Sequence, residues 1–195
     1  MTNTANYTIA VFAGDGIGPE VIDPAIELLN AITTLTGGFT LTFDHLKAGA
    51  EYFARRGKSF EDGAIERAAS ADAILLGAMG LPSVRYEDGT EISPQLDLRE
   101  TFELYAGERP VMSFRGLPTL LSNERAKDIN FVLVRESTEG LFANRNNSRV
   151  SREEARDELL ITRRISEKLF DHAFRLARRR KAHGFPGRVT CVDKA

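Results

Sequence analysis

A chain of 195 residues with 42% hydrophobic content can bury a core, which excludes disorder as its main state. Its 26 basic and 28 acidic residues leave a net charge of −2, so no global field draws it to nucleic acid or an anionic membrane. One cysteine, Cys191, rules out an internal disulfide; no apolar run reaches the roughly 20 residues that span a bilayer; and the start MTNTANYT lacks a secretory layout, so a reducing, cytoplasmic location is expected.

Tyr7 to Ala13 is a β-rich run that breaks at Gly14-Asp15-Gly16, and apolar residues then recur at helical spacing from Gly18 to Thr34 (Val21, Ile22, Ile26, Leu29). A second strand, Phe39 to Phe43, precedes helical stretches at Ala48 to Arg55 and Glu61 to Ala69, and the apolar run Ala73 to Leu76 is a third strand. Alternation of this kind predicts an α/β fold, a mostly parallel sheet with flanking helices. Gly77 to Pro94 is rich in glycine, proline and polar residues, a long loop of the kind that usually carries function. Gln95 to Tyr105 reads as helix, Pro110 to Phe114 and Asn130 to Val134 as strands, Arg152 to Ala182 as helix with a break near Thr162, and Gly187 to Val192 as a closing strand.

The turn GDGIGPE (Gly14 to Glu20) has G-x-G-x-G spacing and not the G-x-G-x-x-G of a dinucleotide fingerprint. Its glycines can either supply positive φ between strand and helix or face a ligand directly. More informative are Arg99, Arg109 and Arg135, each set against an apolar stretch where a permanent charge is expensive unless it faces a cleft. A guanidinium matches a carboxylate with two parallel hydrogen bonds, so converging arginines suit a substrate with two or three carboxylates; each taken singly also fits a structural ion pair.

The blocks IAVFAGDGIGPEV, LLGAMGLP, LRETFELYAGERPV, VRESTEGLF and VTCVDKA, in this order and spacing, resemble those of the isopropylmalate, isocitrate and tartrate dehydrogenase family over nearly the whole chain. The resemblance implies an isopropylmalate dehydrogenase-like fold and a metal- and nicotinamide-dependent oxidative decarboxylation of a small hydroxy diacid. It implies that Arg99, Arg109 and Arg135 bind substrate carboxylates and that Lys194 assists proton transfer at the substrate hydroxyl across a dimer interface. It further implies that the loop from Ala78 to Ile92, with Ala78, Met79, Gly80 and Ile92, lies near the nicotinamide. NAD is expected ahead of NADP, with Mg2+ or Mn2+ as the metal. In such chemistry a polarised hydroxyl loses its proton as hydride leaves the same carbon, and the keto acid then sheds carbon dioxide.

Three departures from the family pattern matter. Phe142 stands where the family has a tyrosine that helps protonate the enolate, and a phenyl ring has no proton to give. Ser93 and Gln95 stand in the stretch Ile92 to Leu96, where isopropylmalate enzymes carry leucines, which predicts a polar substrate of the malate, tartrate or isocitrate type. The chain ends at Ala195, one residue past Lys194, so the family's metal-binding aspartates are expected beyond it and no metal ligand within it. Residues 1–108 are expected to form a partial first α/β domain and residues 109–195 the start of a second. Residues 143–156 would be a dimerisation arm of a homodimer, and the isolated chain would be inactive.

The basic run Arg175, Arg178, Arg179, Arg180, Lys181 is accounted for by a helix end whose cations meet the negative end of the dipole, with no aromatic platform for nucleic acid. His45, His172 and His183 lack zinc-ligand spacing. The rival functional readings are a non-catalytic regulatory subunit and a simple carboxylate-binding domain of the same fold. The three arginines and Lys194 speak for catalysis, and Phe142 against it.

Overall fold

The computed structural model describes residues 4–114, 116–118, 121–141, 143–145 and 147–192. The chain divides into two compact units, Met1–Leu98 and Arg99–Ala195.

The first unit is built on three parallel strands in the order β2–β1–β3: β1 (Ala5–Phe12), β2 (Phe39–Leu46) and β3 (Ala73–Leu76). Parallel neighbours need a crossover, and α1 (Gly18–Thr36) supplies the first; α2 (Ala50–Arg56) and α3 (Ala64–Ser70) supply the second. Central β1 ends on Ala10, Val11 and Phe12, all buried, and Phe12 meets Phe60 edge to face at 6.0 Å. Ile22, Leu46, Ala50, Ala64 and Ala68 complete this core around the carboxyl end of β1.

At that end the chain turns at Gly14-Asp15-Gly16. Asp15 is 2% exposed, and its carboxylate accepts the backbone N–H groups of Ala50 (2.7 Å), Glu51 (2.8 Å) and Gly80 (2.8 Å). The first two are the opening donors of α2, which has no partner within its own helix for them. Asp15 therefore caps a helix 35 residues away and fastens the segment after β3 with the same group. The approach leaves no room for side chains: a Cβ on Gly49 would lie 2.4 Å from Asp15 Oδ1, and one on Gly14 would lie 1.9 Å from the carbonyl oxygen of Ala78. Gly14 and Gly16 both take positive φ, 81° and 55°, the first of the two uses open to the glycine turn.

The segment between β3 and α4 (Pro94–Thr101) is a loop, as expected, but an ordered one. Arg85 and Glu91 form an isolated antiparallel bridge and an ion pair at 3.0 Å, and Arg85 also donates to the carbonyls of Pro82 and Gly89. Asp88 Oδ1 accepts the Thr90 amide at 2.8 Å to close the tip.

The second unit centres on an antiparallel ribbon of β4 (Ala106–Met112) and β5 (Asn130–Glu136), with a 3-10 helix at Glu124–Asp128 in the connection between them. A small hairpin, β6 (Arg149–Val150) and β7 (Ala155–Arg156), precedes α5 (Arg163–Ala182).

Three expectations are corrected. β4 begins at Ala106 and not at Pro110, because its ladder to β5 extends over residues whose composition carries no strand signal. Residues 152–162 are not helical: Ser151 Oγ accepts the amides of Glu153 and Glu154, holding a turn, and α5 starts only where Thr162 Oγ1 caps Ile165 N. Gly187 to Val192 forms no ladder among the described residues, and an extended segment becomes a strand only by pairing.

Asp15→Ala strands three backbone donors and is expected to cost more than about 3 kcal/mol in urea unfolding. Gly49→Ala should destabilise comparably by pushing a methyl into the same carboxylate. The double variant should cost clearly less than the sum of the two, since the methyl then enters the vacated space; strict additivity would show that the contact is not what the glycine serves.

Candidate functional site

The β4–β5 register decides where two of the three arginines stand. Gly107 pairs with Arg135 and Arg109 with Leu133. Alternate residues of a strand share a face, so Arg109 and Arg135 lie diagonally on one face of the ribbon, with Gly107 and Leu133 between them. Ser137 belongs to the same face: a Cβ on Gly107 would meet its Oγ at 2.8 Å. Both arginines are exposed, and Val111, Phe131 and Leu133 continue this open face.

The opposite face is covered by α5. His172 Nε2 reaches Glu108 Oε1 at 2.6 Å, and Arg180 Nη2 donates to the carbonyl and side-chain oxygens of Asn130 at 3.2 and 2.7 Å. The helix thus runs along the back of the ribbon. Its first turn is held by Glu139, whose carboxylate accepts the Thr162 amide at 2.8 Å, while Glu136 accepts the amides of Thr138 and Glu139.

Arg99, half-buried, sits in the last turn of α4, where a cation suits the helix dipole. Among the described residues the guanidinium groups of Arg99 and Arg109 make no hydrogen bond or ion pair. α4 closes with the amide of Leu104 on the carbonyl of Arg99 (2.9 Å) and that of Glu103 on the carbonyl of Glu100 (3.2 Å), the paired bonds of a Schellman turn. Glu103 stands at its left-handed position, φ +46°. Its carboxylate accepts from Arg164 Nη1 at 2.8 Å and Lys168 Nζ at 3.1 Å, and these cations, Lys168 first, hold its carboxyl below the ordinary value of 4.5.

In the first unit, Ala78, Met79 and Gly80 pack against the Gly14–Asp15 turn: the Asp15 amide donates to the Ala78 carbonyl at 2.7 Å, and Gly80 is clamped by the carboxylate. Ala78 and Gly80 remain exposed. The Ile92 carbonyl lies 4.0 Å from where a Gly80 Cβ would stand, but the Ile92 side chain is 1% exposed and belongs to the core, so only its backbone could meet a ligand. Ser93 and Gln95 are half-buried, and Gln95 Oε1 is a buried acceptor with no hydrogen-bond partner among the described residues. Lys194 and Phe142 lie outside the described residues. No group of three or more His, Cys, Asp or Glu that could hold a metal ion occurs among the described residues, so they supply no ligand set for a divalent cation. No helix among them is long and apolar enough to cross a membrane.

The isocitrate/isopropylmalate dehydrogenase profile matches residues 8–195. The chain belongs to that family. It is 35% identical over 189 residues to the 3-isopropylmalate/3-methylmalate dehydrogenase of Methanocaldococcus jannaschii, covering 97% of this chain and 51% of the relative. It is also 35% identical to the decarboxylating D-malate dehydrogenase of Escherichia coli (88% and 48% covered) and to the tartrate dehydrogenase/decarboxylase of Pseudomonas putida (90% and 49%). The crystal structure of isocitrate dehydrogenase from Methylococcus capsulatus superposes with a TM-score of 0.72 at 29% identity, over 90% of this chain and 48% of that one. The chain spans about half the length of the relatives it matches. The α/β fold with its mostly parallel sheet is that of these relatives.

Sequence reasoning missed Asp15, Glu103 and the Glu108–His172 pair. For Asp15 a signal was present, an acid flanked by two glycines; Glu103 and Glu108 look like surface acids.

Because its folded value is depressed, Glu103 lends stability above its unfolded value, and this is lost as pH falls through the folded one. A carboxyl-resolved NMR titration should put Glu103 below 4.5. Lys168→Gln and Arg164→Gln should each raise it, and equal titration in all three proteins would contradict the pairing.

Proposed function

We propose that the complete protein oxidises and decarboxylates a small polar 2-hydroxy diacid of the malate, tartrate or isocitrate type, with NAD or NADP, NAD ahead of NADP. The observation that carries this reading is the placement of Arg109 and Arg135 on one open face of the ribbon, with the Arg99 guanidinium at the end of α4 unpaired among the described residues. The family supports an oxidoreductase, and the relatives named for D-malate and tartrate support a polar substrate.

In this reading Arg99, Arg109 and Arg135 take the substrate carboxylates, each as a planar fork that fixes orientation as well as charge. Ser93 and Gln95 discriminate by polarity: the Gln95 carbonyl, buried without a partner, can be satisfied by a substrate hydroxyl or a protonated carboxyl and not by an alkyl group. The exposed backbone of Ala78 to Gly80, with Met79 beside it, forms the wall toward the nicotinamide, which when bound accepts hydride from the carbinol carbon. Lys194 handles the hydroxyl proton. The Mg2+ or Mn2+ of the proposed reaction has no ligand set among the described residues, so what this chain contributes is grip and orientation. The exposed β6–β7 hairpin, with Val150 81% exposed, is the arm that reaches the second subunit of a homodimer.

Phe142 favours a second reading, a regulatory subunit that binds ligand without turnover. Calorimetric titration of the complete protein with hydroxy diacid, metal and cofactor, beside a turnover assay, separates the two.

Arg109→Gln should raise KM for the preferred diacid about ten- to a hundredfold, the worth of one charge-assisted pair. Steady-state rates over a panel of hydroxy acids should favour polar substrates, and a clear preference for isopropylmalate would refute the assignment of Ser93 and Gln95. Phe142→Tyr should raise the carbon dioxide released per hydride transferred; an unchanged ratio would remove Phe142 from the chemistry.

A further inference from the structure

A Schellman turn needs a left-handed residue after the helix, and glycine fills that position because it alone adopts positive φ without penalty. Here the position is Glu103, the one non-glycine residue with positive φ among the described residues. Its side chain is not idle. Arg164 and Lys168, one turn apart on α5, both hold its carboxylate. Exposed pairs of this sort add little to global stability, so stability does not account for a strained acid where a glycine would serve.

What the pairing does fix is local. The turn's longer bond runs from the Leu104 amide to the carbonyl of Arg99, so the conformation of Glu103 sets the end of the helical turn that carries Arg99. The same stripe of α5 continues down the next residues of the chain: Lys168 stands over the Tyr105 ring at 5.8 Å, Tyr105 meets His172 edge to face at 6.4 Å, and His172 holds Glu108. Between Arg99 and Arg109 the chain is therefore pinned at 103, 105 and 108 by residues 164, 168 and 172 of one helix face.

We propose that Glu103 is a positioning residue for Arg99: Arg164 and Lys168 hold it in the left-handed conformation, and the turn so formed orients that arginine for a substrate carboxylate. The proposal rests on the reading of Arg99 as a carboxylate-binding group. Unlike a glycine, an acid held by two cations makes the turn conditional on charge, so salt loosens it.

The test uses the complete protein with the Arg164→Gln/Lys168→Gln double variant and the same variant carrying Glu103→Gly. Without the cations, Glu103 should leave positive φ, and the Leu104 amide should exchange its hydrogen about tenfold faster. Affinity for the preferred hydroxy diacid should fall about tenfold while NAD(P) affinity is unchanged, the misplacement being confined to one substrate group. Adding Glu103→Gly should restore both exchange and diacid affinity, since glycine takes the turn unaided; a general packing role for the two cations would not be rescued this way. Unchanged Leu104 exchange in the double variant overturns the proposal, as does faster exchange with unaltered diacid affinity. If the unmodified protein binds no hydroxy diacid, the functional reading itself fails, and Leu104 exchange, which needs no ligand, separates that failure from failure of the Glu103 turn.

Discussion

The first unit depends on a single carboxylate. Asp15 is almost wholly buried, and a charge in that position persists only when its lone pairs are taken up; here three backbone amides from two distant segments do so. Each bond to a charged acceptor contributes about 1.5–3 kcal/mol, and losing the acceptor strands donors that cannot find water. The spacing of the surrounding glycines follows from this. Gly14 yields to the Ala78 carbonyl and Gly49 to the carboxylate itself, so the glycine turn is packed against the protein's own backbone and its own acid. The wall proposed to face the nicotinamide is rigid for the same reason, since Ala78 and Gly80 are its two attachment points.

The second unit is held by different means. Among the described residues its buried apolar side chains are Ala126, Ile165 and Ala177, while Val111, Phe131, Leu133, Phe170 and Phe174 stay exposed. Against so small a core, the polar ladder from α5 to Glu103, Glu108 and Asn130 does not contribute much energy, because solvent screens exposed pairs. It contributes register. A helix that could slide by one turn against a twisted ribbon is fixed by partners spaced along it, and the arginine face on the other side of that ribbon is fixed with it.

The contrast between the units explains what was legible in the sequence. β1, α1, β2 and β3 were readable because a buried parallel sheet demands apolar runs and its helices demand apolar spacing. Ala106 to Arg109 form a strand through pairing with β5 alone, without a strand composition to announce it. Ser151 and Thr162 ended a run of helix-forming residues through local side-chain bonds that periodicity does not register. At the candidate site the arginines were visible as residue types, but their common purpose came from resemblance, because nothing in one chain's spacing tells that Arg109 and Arg135 share a face. Asp15 and Glu103 were read past since a buried and an exposed acid look alike in sequence.

On the proposed reading, substrate choice follows from which groups would be left unsatisfied. Among the described residues the buried Gln95 carbonyl has no partner, and an alkyl group brought against it would make that loss permanent, at about 1–3 kcal/mol. A hydroxyl brought to the same place recovers that loss. Guanidinium groups on the ribbon do not discriminate between hydroxy diacids, because every one of them has carboxylates to offer. On the proposed reading, affinity belongs to the arginines and selection to the Gln95 amide, so the two properties can be altered separately by substitution.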